Sequence, residues 1–210
     1  MNQSIVAHQV QDHRYRNYDV YFYGDSILII VTADPEIVTH WITDVEFDVS
    51  FRDVVGLDIE WRPNYGQTQN PVATLQLCVG HSCLIFRLLH CHSPIPQSLV
   101  TFLDTYTFAG VEIEVDVEKL ERDHGLIVSY SVDLNEAFGL VYQIRKNAGL
   151  KELCSVVLLK EMVKPAHITR SRWDYRFLNE EQVEYACIDA FVCFEIEKRL
   201  NTSGYGCNWL

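Results

Sequence analysis

The sequence predicts a single α/β domain, and three observations support this prediction. The chain has 210 residues, which is enough for one buried core and short for two. Its composition is ordinary for a globular protein, with 48% hydrophobic and 22% charged residues. Its apolar patterns form a β-meander followed by alternating strands and helices. We assign residues 18–205 to the domain and residues 1–17 to an N-terminal tail.

The first half of the domain is predicted to consist mainly of strands. DVYFY and ILIIV form a β-hairpin with a turn at Gly24-Asp25. Asp34-Pro35-Glu36 has the pattern of an N-cap, a first-turn proline and an acidic first turn, so a helix is expected to residue 47. Three strands then form the meander: VVGLDIEW, VATLQLCV and SCLIFRLL.

The second half is predicted to alternate strands and helices. The prolines at 94 and 96 end the meander, PQSLVTFLDT is expected to be helical, and TFAGV is expected to be a strand. After the segment LIVSY the helical pattern returns. Further helices are expected over residues 115–124, 134–146, 150–162 and 179–200, with a loop around residues 165–176.

The chain shows neither a membrane-spanning pattern nor a signal-peptide core. Its longest apolar run, residues 27–31, is far below the ~20 residues of a membrane helix. We therefore expect a soluble protein without a membrane partner. Since no Lys/Arg-rich nuclear signal is visible, a cytoplasmic location is expected, with nuclear entry open to a chain of 24.3 kDa.

The seven cysteines are expected to be reduced thiols and not disulfides. Their number is odd, they lack paired CxxC spacing, and most lie in apolar segments. Histidine and cysteine cluster over twelve positions, as in zinc sites, but their spacing fits no ordinary four-ligand site. The residues in question are His81, Cys83, His90, Cys91 and His92.

The net charge of -12 argues against a broad basic surface that grips nucleic acid by neutralising phosphates. Any contact with nucleic acid must therefore be local.

Two acidic residues interrupt the strand VVGLDIEW. Residues two apart in a strand lie on the same face about 6.5–7 Å apart, so Asp58 and Glu60 project together while Leu57 and Ile59 face the other side. A carboxylate in an apolar strand needs a partner to offset desolvation, and a divalent cation would serve. The alternative is a strand edge with solvated carboxylates.

Two other stretches carry matching side chains. Asp116 lies at a strand-to-helix transition, where an acidic residue is also a common partner of the helix dipole. Tyr185 and Asp189 are four residues apart, which stacks them on one face of the last helix. Tyr185 alone would also fit an ordinary core position.

Together these residues form the array that two-metal phosphodiester hydrolysis requires. Hard oxygen ligands hold two cations about 3.5–4 Å apart, of which one activates water and the other stabilises the leaving 3′ oxygen. Asp58, Glu60, Asp116 and Asp189 are the predicted metal ligands. The Tyr185 hydroxyl is predicted to orient the attacking water.

The motifs resemble those of the DnaQ-like 3′–5′ exonucleases of the Asp-Glu-Asp-Asp type, in the tyrosine-containing (DEDDy) branch. LQLCVG, CLIFRL and a tryptophan before LxxxQxxYAxxDA resemble the Werner-type and ribonuclease D-like subgroup. The resemblance spans about residues 54–199. The three motif matches are Asp58-Ile59-Glu60, Asp116 followed by Lys119-Leu120, and Tyr185-x-x-x-Asp189.

This resemblance implies an RNase H-like fold, a mixed sheet flanked by helices, with Mg2+ or Mn2+ as cofactor. It implies removal of nucleotides from the 3′ end of a single strand, and RNA is favoured. The small size and acidity resemble the plant exoribonucleases of RNA silencing, which implies a homo-oligomeric ring of six and a silencing partner. The alternatives are a Werner-like DNA exonuclease and a catalytically weak binding module.

Four residues are candidates for contacting nucleic acid. Trp61 and Tyr65 follow the acidic strand and would stack on bases, although a packing role is equally open for Trp61. Lys119 follows the second motif. Arg172, with Arg170 and Arg176 in the same loop, would hold phosphates, the alternative being a solvated loop.

Overall fold

The computed structural model describes residues 2–9, 12–47, 54–64, 66, 69–142 and 148–202. Eight strands and seven α-helices are present in this part of the chain. The strands are β1 (Gln3–Ala7), β2 (Tyr15–Phe22), β3 (Asp25–Thr32), β4 (Val54–Trp61), β5 (Val72–Val79), β6 (Ser82–Phe86), β7 (Thr107–Gly110) and β8 (Tyr130–Asp133). The helices are α1 (Pro35–Glu46), α2 (Gln97–Thr105), α3 (Ile113–His124), α4 (Leu134–Tyr142), α5 (Leu150–Leu153), α6 (Ala166–Thr169) and α7 (Glu180–Leu200).

All eight strands join one mixed sheet in the order β1-β2-β3-β6-β5-β4-β7-β8. The β3–β6, β4–β7 and β7–β8 pairs are parallel, and the remaining pairs are antiparallel. Helices cover both faces, which confirms the predicted α/β class with an N-terminal β-hairpin. The hairpin turn lies at Tyr23 and Gly24, both at positive φ, one residue earlier than predicted.

The two faces of the sheet carry separate hydrophobic cores. One core packs against α4, α5 and α7 and includes Phe22, Ile85 and Phe191. The other packs against α1, α2 and α3 and includes Leu57 and Ile59 of β4. Because successive strand residues alternate between faces, Asp58 and Glu60 of β4 lie on the α7 face.

Gly56 sets how closely α7 approaches β4. A Cβ atom at this position would overlap the backbone oxygen of Ala190 and lie 2.8 Å from the Phe194 backbone nitrogen. Only glycine leaves room for α7 to cross β4 at residue 56. The crossing brings the middle of α7 beside the acidic residues of β4.

Several predicted boundaries are corrected. The tail expected over residues 1–17 contributes β1 and the start of β2, because Ile5 packs against the core and β1 pairs with β2. The helix expected over 150–162 continues from α5 as a π-helical turn, Cys154–Leu158, and ends at Leu159, which has a φ of 57°. Of the helix expected over 134–146, residues 143–147 lie outside the described residues.

Two of the cysteines correct the prediction of reduced thiols. Cys78 and Cys83 face each other across the β5–β6 hairpin with a Cα–Cα distance of 4.3 Å and form a disulfide. The count of cysteines could not reveal this pairing, because it depends on the register of the hairpin. Cys91, Cys154, Cys187 and Cys193 are free thiols.

Among the residues that the structure describes, no helix combines the length and the apolar character needed to cross a membrane.

Candidate metal centre

Three carboxylates converge where β4 meets α7. One ligand oxygen from each of Asp58, Glu60 and Asp189 lies within 4.8 Å of the others. Asp58 and Glu60 project from β4, and the register of β4 with β5 shifts directly after Glu60. Such bulges are frequent beside active sites because they redirect a side chain. We call these three residues the acid cluster.

Lys164 supplies a cation to the acid cluster. Its Nζ lies 2.7 Å from Oδ2 of Asp189 and 5.4 Å from the centre of the Tyr185 ring. The chain reaches this position after the π-helical turn, which ends at the left-handed Leu159. Lys164 could not be singled out from the sequence, because a lysine before a proline is usual in a surface loop.

Burial dominates the electrostatics of the cluster. It raises the pKa of Asp58 and of Glu60 well above the ordinary range, and neighbouring carboxylates raise each further. Burial also raises the pKa of Asp189, although the Lys164 ammonium acts in the opposite direction. For Lys164, burial lowers the pKa, but the charges of Asp189 and Asp58 outweigh it and the net shift is upward.

Asp116 lies beside the acid cluster in the first turn of α3. It is not one of the three mutually close residues, yet its charge raises the pKa of Asp58. Burial, together with the charge of Glu112, raises the pKa of Asp116 itself to about 7. Glu112, the N-cap residue of α3, has a left-handed backbone at φ 55°.

Tyr185 lies one helical turn before Asp189 on α7, as predicted. Its ring is buried, with its centre 6.0 Å from that of the Trp173 ring. Burial, followed by the charge of Asp189 and then of Glu60, raises the pKa of its hydroxyl above the ordinary value. The hydroxyl therefore keeps its proton at neutral pH and can both donate and accept a hydrogen bond.

The acid cluster fits a divalent cation. Oδ2 of Asp58 and Oδ1 of Asp189 are buried without a hydrogen-bond partner in the described structure. Unpaired buried carboxylate oxygens are costly, and hard oxygen ligands are those that Mg2+ and Mn2+ prefer. Within the described ranges this is the one group of metal-ligating side chains.

The histidines and cysteines weighed for zinc do not meet. His81 bonds Asp25, Cys83 is in the disulfide, and His90 bonds the backbone oxygen of Asp174.

Two polar residues that the sequence analysis missed lie beside the acid cluster. Thr74 and Gln76 of β5 face Glu60 and Asp58 in register, and the Gln76 amide donates to the Thr74 hydroxyl at 2.7 Å. Both are fully buried. The available signal was their presence in the otherwise apolar strand VATLQLCV.

The residues predicted to contact nucleic acid are dispersed. Lys119 is buried, and its ammonium donates at 2.8 Å to both Asn70 and Asp123, so it holds α3 to the segment before β5. Trp61 packs partly against the core, with the Lys119 ammonium 5.1 Å from its ring centre. Tyr65 lies outside the described residues.

Arg172 is exposed but already paired. Its guanidinium donates to both carboxylate oxygens of Asp174, at 2.7 and 3.0 Å, and stacks on Tyr175. Asp174 also accepts from Arg62 at 3.5 Å. The charge of Arg172 is thus largely offset, whereas Arg176 has no carboxylate partner in the part of the chain that is described.

The sequence matches a known family over most of its length. Residues 33–204 match the family described as 3′-5′ exonuclease. An Arabidopsis thaliana protein named 3′-5′ exonuclease is 32% identical over 198 residues, covering 89% of this chain and 67% of that protein. The bifunctional 3′-5′ exonuclease/ATP-dependent helicase WRN of Mus musculus is 34% identical over 165 residues, covering 77% of this chain.

The fold also matches solved structures. Escherichia coli RNase D, described as an exoribonuclease involved in structured RNA processing, superposes with a TM-score of 0.70 at 17% identity. The match covers 86% of this chain and 46% of that one. The chain spans about two thirds of the Arabidopsis relative and 12% of the mouse relative.

Proposed function

This chain belongs to the 3′–5′ exonuclease family, and from that premise we propose that it removes nucleotides one at a time from the 3′ end of single-stranded RNA. Membership confirms the resemblance to DnaQ-like exonucleases of the RNase D and Werner type. The likeness to RNase D confirms the predicted RNase H-like fold. The polymer, the metal mechanism and the residue roles below belong to the proposal.

One observation carries the mechanism: the convergence of Asp58, Glu60 and Asp189 around buried oxygens that lack partners. Burial raises the pKa of all three carboxyls, Asp189 further raises the pKa of Asp58 and Glu60, and Asp58 further raises that of Glu60, so the arrangement is costly in the free protein. Sites of this kind persist when a ligand offsets the cost. Asp58, Glu60 and Asp189, with Asp116 at the margin, would hold Mg2+ or Mn2+.

When bound, the metal ions would supply an activated water and charge stabilisation for the leaving 3′ oxygen. The chain's own residues do the positioning. Asp58 and Glu60 are fixed by an interior strand of the sheet, and Asp189 by a helix that Gly56 lets approach closely. Rigid elements hold such groups with the accuracy that catalysis requires.

Tyr185 supports the attack on the phosphodiester. Its hydroxyl stays protonated and lies on the same helix face as Asp189, where it would donate a hydrogen bond to the attacking water or to the phosphate. The contact of its ring with Trp173 fixes its orientation.

RNA is the proposed polymer, because the structural likeness is to a protein described as an exoribonuclease. A second candidate is a DNA exonuclease, which the 34% identity to WRN favours. A ring of six subunits and an RNA-silencing partner rest on the resemblance noted in the sequence. A cytoplasmic location rests on the sequence expectation that no Lys/Arg-rich nuclear signal is present.

A time course on oligonucleotides tests the proposal. Matched RNA and DNA strands with a 5′ label are incubated with Mg2+, Mn2+ or a chelator, beside strands blocked by a 3′ phosphate. We expect a ladder that shortens from the 3′ end, requires metal, is faster on RNA and is slowed by the block. A ladder on DNA alone would select the second candidate, and no ladder on either polymer would favour a binding module.

A further inference from the structure

A basic cleft lies at the end of the sheet that carries the acid cluster. It has a volume of about 790 Å³ and is bounded by β2, β3, the residues that follow β6, and the loop before α7. Among the described residues that line it there is no Asp or Glu. In a chain with 29 acidic and 17 basic residues, this is a local reversal of charge. Its arginines are Arg14, Arg16, Arg87 and Arg176.

Arg87 is the buried member of the basic cleft. Only 8% of the residue is exposed, and one Nη donates to the backbone oxygen of Tyr175 at 3.1 Å. Its Nε is buried without a hydrogen-bond partner in the described structure, and no described carboxylate pairs with it. Burial and the nearby charge of Arg176 lower its pKa. A bound anion would accept a hydrogen bond from Nε and would offset the unfavourable burial of the positive charge.

Arg16 and Arg176 are the accessible members. Both are exposed, and neither forms an ion pair with a carboxylate in the described ranges. Arg14 differs, because it pairs with Asp12 at 2.9 Å and with Glu36 at 3.0 Å. The free positive charge of the cleft therefore comes from Arg16, Arg87 and Arg176.

The strand register places Arg87 near the acid cluster. Glu60 pairs with Thr74 of β5, and Leu75 pairs with Phe86 of β6, so Arg87 continues the row of Glu60 two strands away. Strands are spaced by about 4.8 Å, which puts the two backbones about 10 Å apart. That separation suits a phosphate neighbouring the one at the acid cluster.

Arg16 lies at the far end of a second row of paired residues, which starts at Asp58. Four register pairs join it to the acid cluster in one row: Asp58 with Gln76, Gln76 with Ile85, Ile85 with Val31, and Val31 with Arg16. Residues paired across strands share a face, so Arg16 also lies on the α7 face, about 20 Å from Asp58. Gln76, Ile85 and Val31, which lie between Asp58 and Arg16 in this row, are buried, so the register gives the distance from the acid cluster to Arg16 and not an open path between them.

Aromatic rings lie beside the arginines of this region. Phe177 is 66% exposed, and its ring centre lies 5.9 Å from the guanidinium of Arg87 and 5.4 Å from that of Arg176. Tyr175 is also exposed. Exposed aromatic rings among arginines are the usual platform for unpaired bases, which favours a single strand over a free phosphate ion.

We propose that the basic cleft binds the phosphates of a single-stranded polynucleotide on the 5′ side of the terminal nucleotide, while Phe177 stacks on a base. The position relative to the 3′ end rests on the proposed function. The binding itself rests on the arginines and the cleft. The cleft would provide a local binding surface for nucleic acid on a chain whose net negative charge otherwise opposes such binding.

Binding without turnover tests the proposal. Fluorescence anisotropy with a labelled twelve-nucleotide RNA and a dinucleotide is measured in chelator over a range of salt concentrations. The Arg16→Gln/Arg176→Gln double variant is compared with the wild type and with Arg122→Gln/Lys198→Gln, which removes the same charge far from the cleft. Melting temperatures check that each variant folds.

The wild type should bind the longer strand more tightly than the dinucleotide. The cleft variant should lose this advantage, with affinity for the longer strand lowered about tenfold or more at ~50 mM salt. Its slope of log K against log salt should fall by about 1.4, because each phosphate contact on a single strand contributes about 0.7. The control should match the wild type.

Equal affinity and slope in wild type and cleft variant, or no binding of the longer strand by the wild type, would overturn the proposal. Because no hydrolysis occurs in the assay, this result is separate from the proposed function. A chain that binds through the cleft but degrades nothing refutes only the nuclease activity.

Discussion

The ammonium Nζ of Lys164 lies 2.7 Å from Oδ2 of Asp189, so the protein supplies its own cation to the acid cluster. This ion pair stabilises an arrangement of carboxylates that would otherwise repel one another. A divalent cation bound by Asp58 and Asp189 would compete with Lys164 for the negative charge of the Asp189 carboxylate. Lys164 therefore stabilises the metal-free protein but would oppose the binding of a divalent cation.

Lys164→Met should lower the melting temperature in chelator by several degrees, because Asp189 loses its partner. For a domain of this size, each kcal/mol of lost stability lowers Tm by about 2–4 °C. It should also enlarge the rise in Tm on adding Mn2+, since the metal no longer competes with an ammonium. Lys160→Met is the control, because Lys160 pairs with Asp25 outside the cluster. An equal metal-induced shift in all three proteins would contradict competition.

Asp58→Asn should stabilise the protein in chelator and abolish metal-dependent hydrolysis. The amide has nearly the same shape as the carboxyl and has no charged form for burial and the neighbouring carboxylates to disfavour. We expect a higher Tm in chelator and a loss of turnover of at least about 10²-fold. Asp44→Asn, at an exposed position of α1, is the matched control. A lower Tm for Asp58→Asn in chelator would show that the charge is not costly.

Asp116→Asn should change the pH dependence of stability. The pKa of Asp116 is about 7 in the folded protein and about 3.9 in an unfolded chain, so the carboxyl stabilises the fold fully below the lower value. That contribution is lost as the pH rises through about 7. In chelator, the variant should gain Tm over the wild type at about pH 8 and much less at about pH 4. A constant difference would argue against the raised pKa.

Tyr185→Phe should lower kcat about 10²-fold with little change in KM or Tm, if its hydroxyl positions the water or the phosphate. Phenylalanine keeps the ring contact with Trp173. Steady-state kinetics on a short RNA, measured together with thermal unfolding, would separate an effect on catalysis from an effect on stability. A fall in Tm that accounts for the lost activity would assign Tyr185 to packing.

Gly56→Ala should destabilise the protein by about 1–3 kcal/mol and impair activity, because the added Cβ overlaps the Ala190 backbone and pushes α7 from β4. Gly149→Ala is the control, since a Cβ there meets no atom within 4 Å. Thermal unfolding and turnover report both effects. An unchanged Tm would show that α7 can shift without cost.

The acidic residues of the site could be predicted because periodicity fixes their faces. Alternation along β4 placed Asp58 with Glu60, and four-residue spacing along α7 placed Tyr185 with Asp189. Asp116 was placed only at a strand-to-helix transition, and its approach to the cluster depends on the left-handed cap at Glu112. That conformation has no signature in a single sequence.

The remaining features depend on contacts between distant segments. Lys164 enters the cluster because a π-helical turn redirects the chain, and Arg16 joins the basic cleft through the register of five strands. The Cys78–Cys83 disulfide likewise follows from register. Lys119 was predicted to meet nucleic acid from its place in a motif, whereas burial beside Asp123 gives it a structural contact.

The most direct test of the account is the degradation of 5′-labelled single-stranded RNA by the wild type and by Asp58→Asn, each with Mn2+ and with chelator. The account predicts a ladder shortening from the 3′ end in one reaction of the four, the wild type with Mn2+. Equal degradation by Asp58→Asn, or by the wild type in chelator, would contradict a metal-dependent site at the acid cluster.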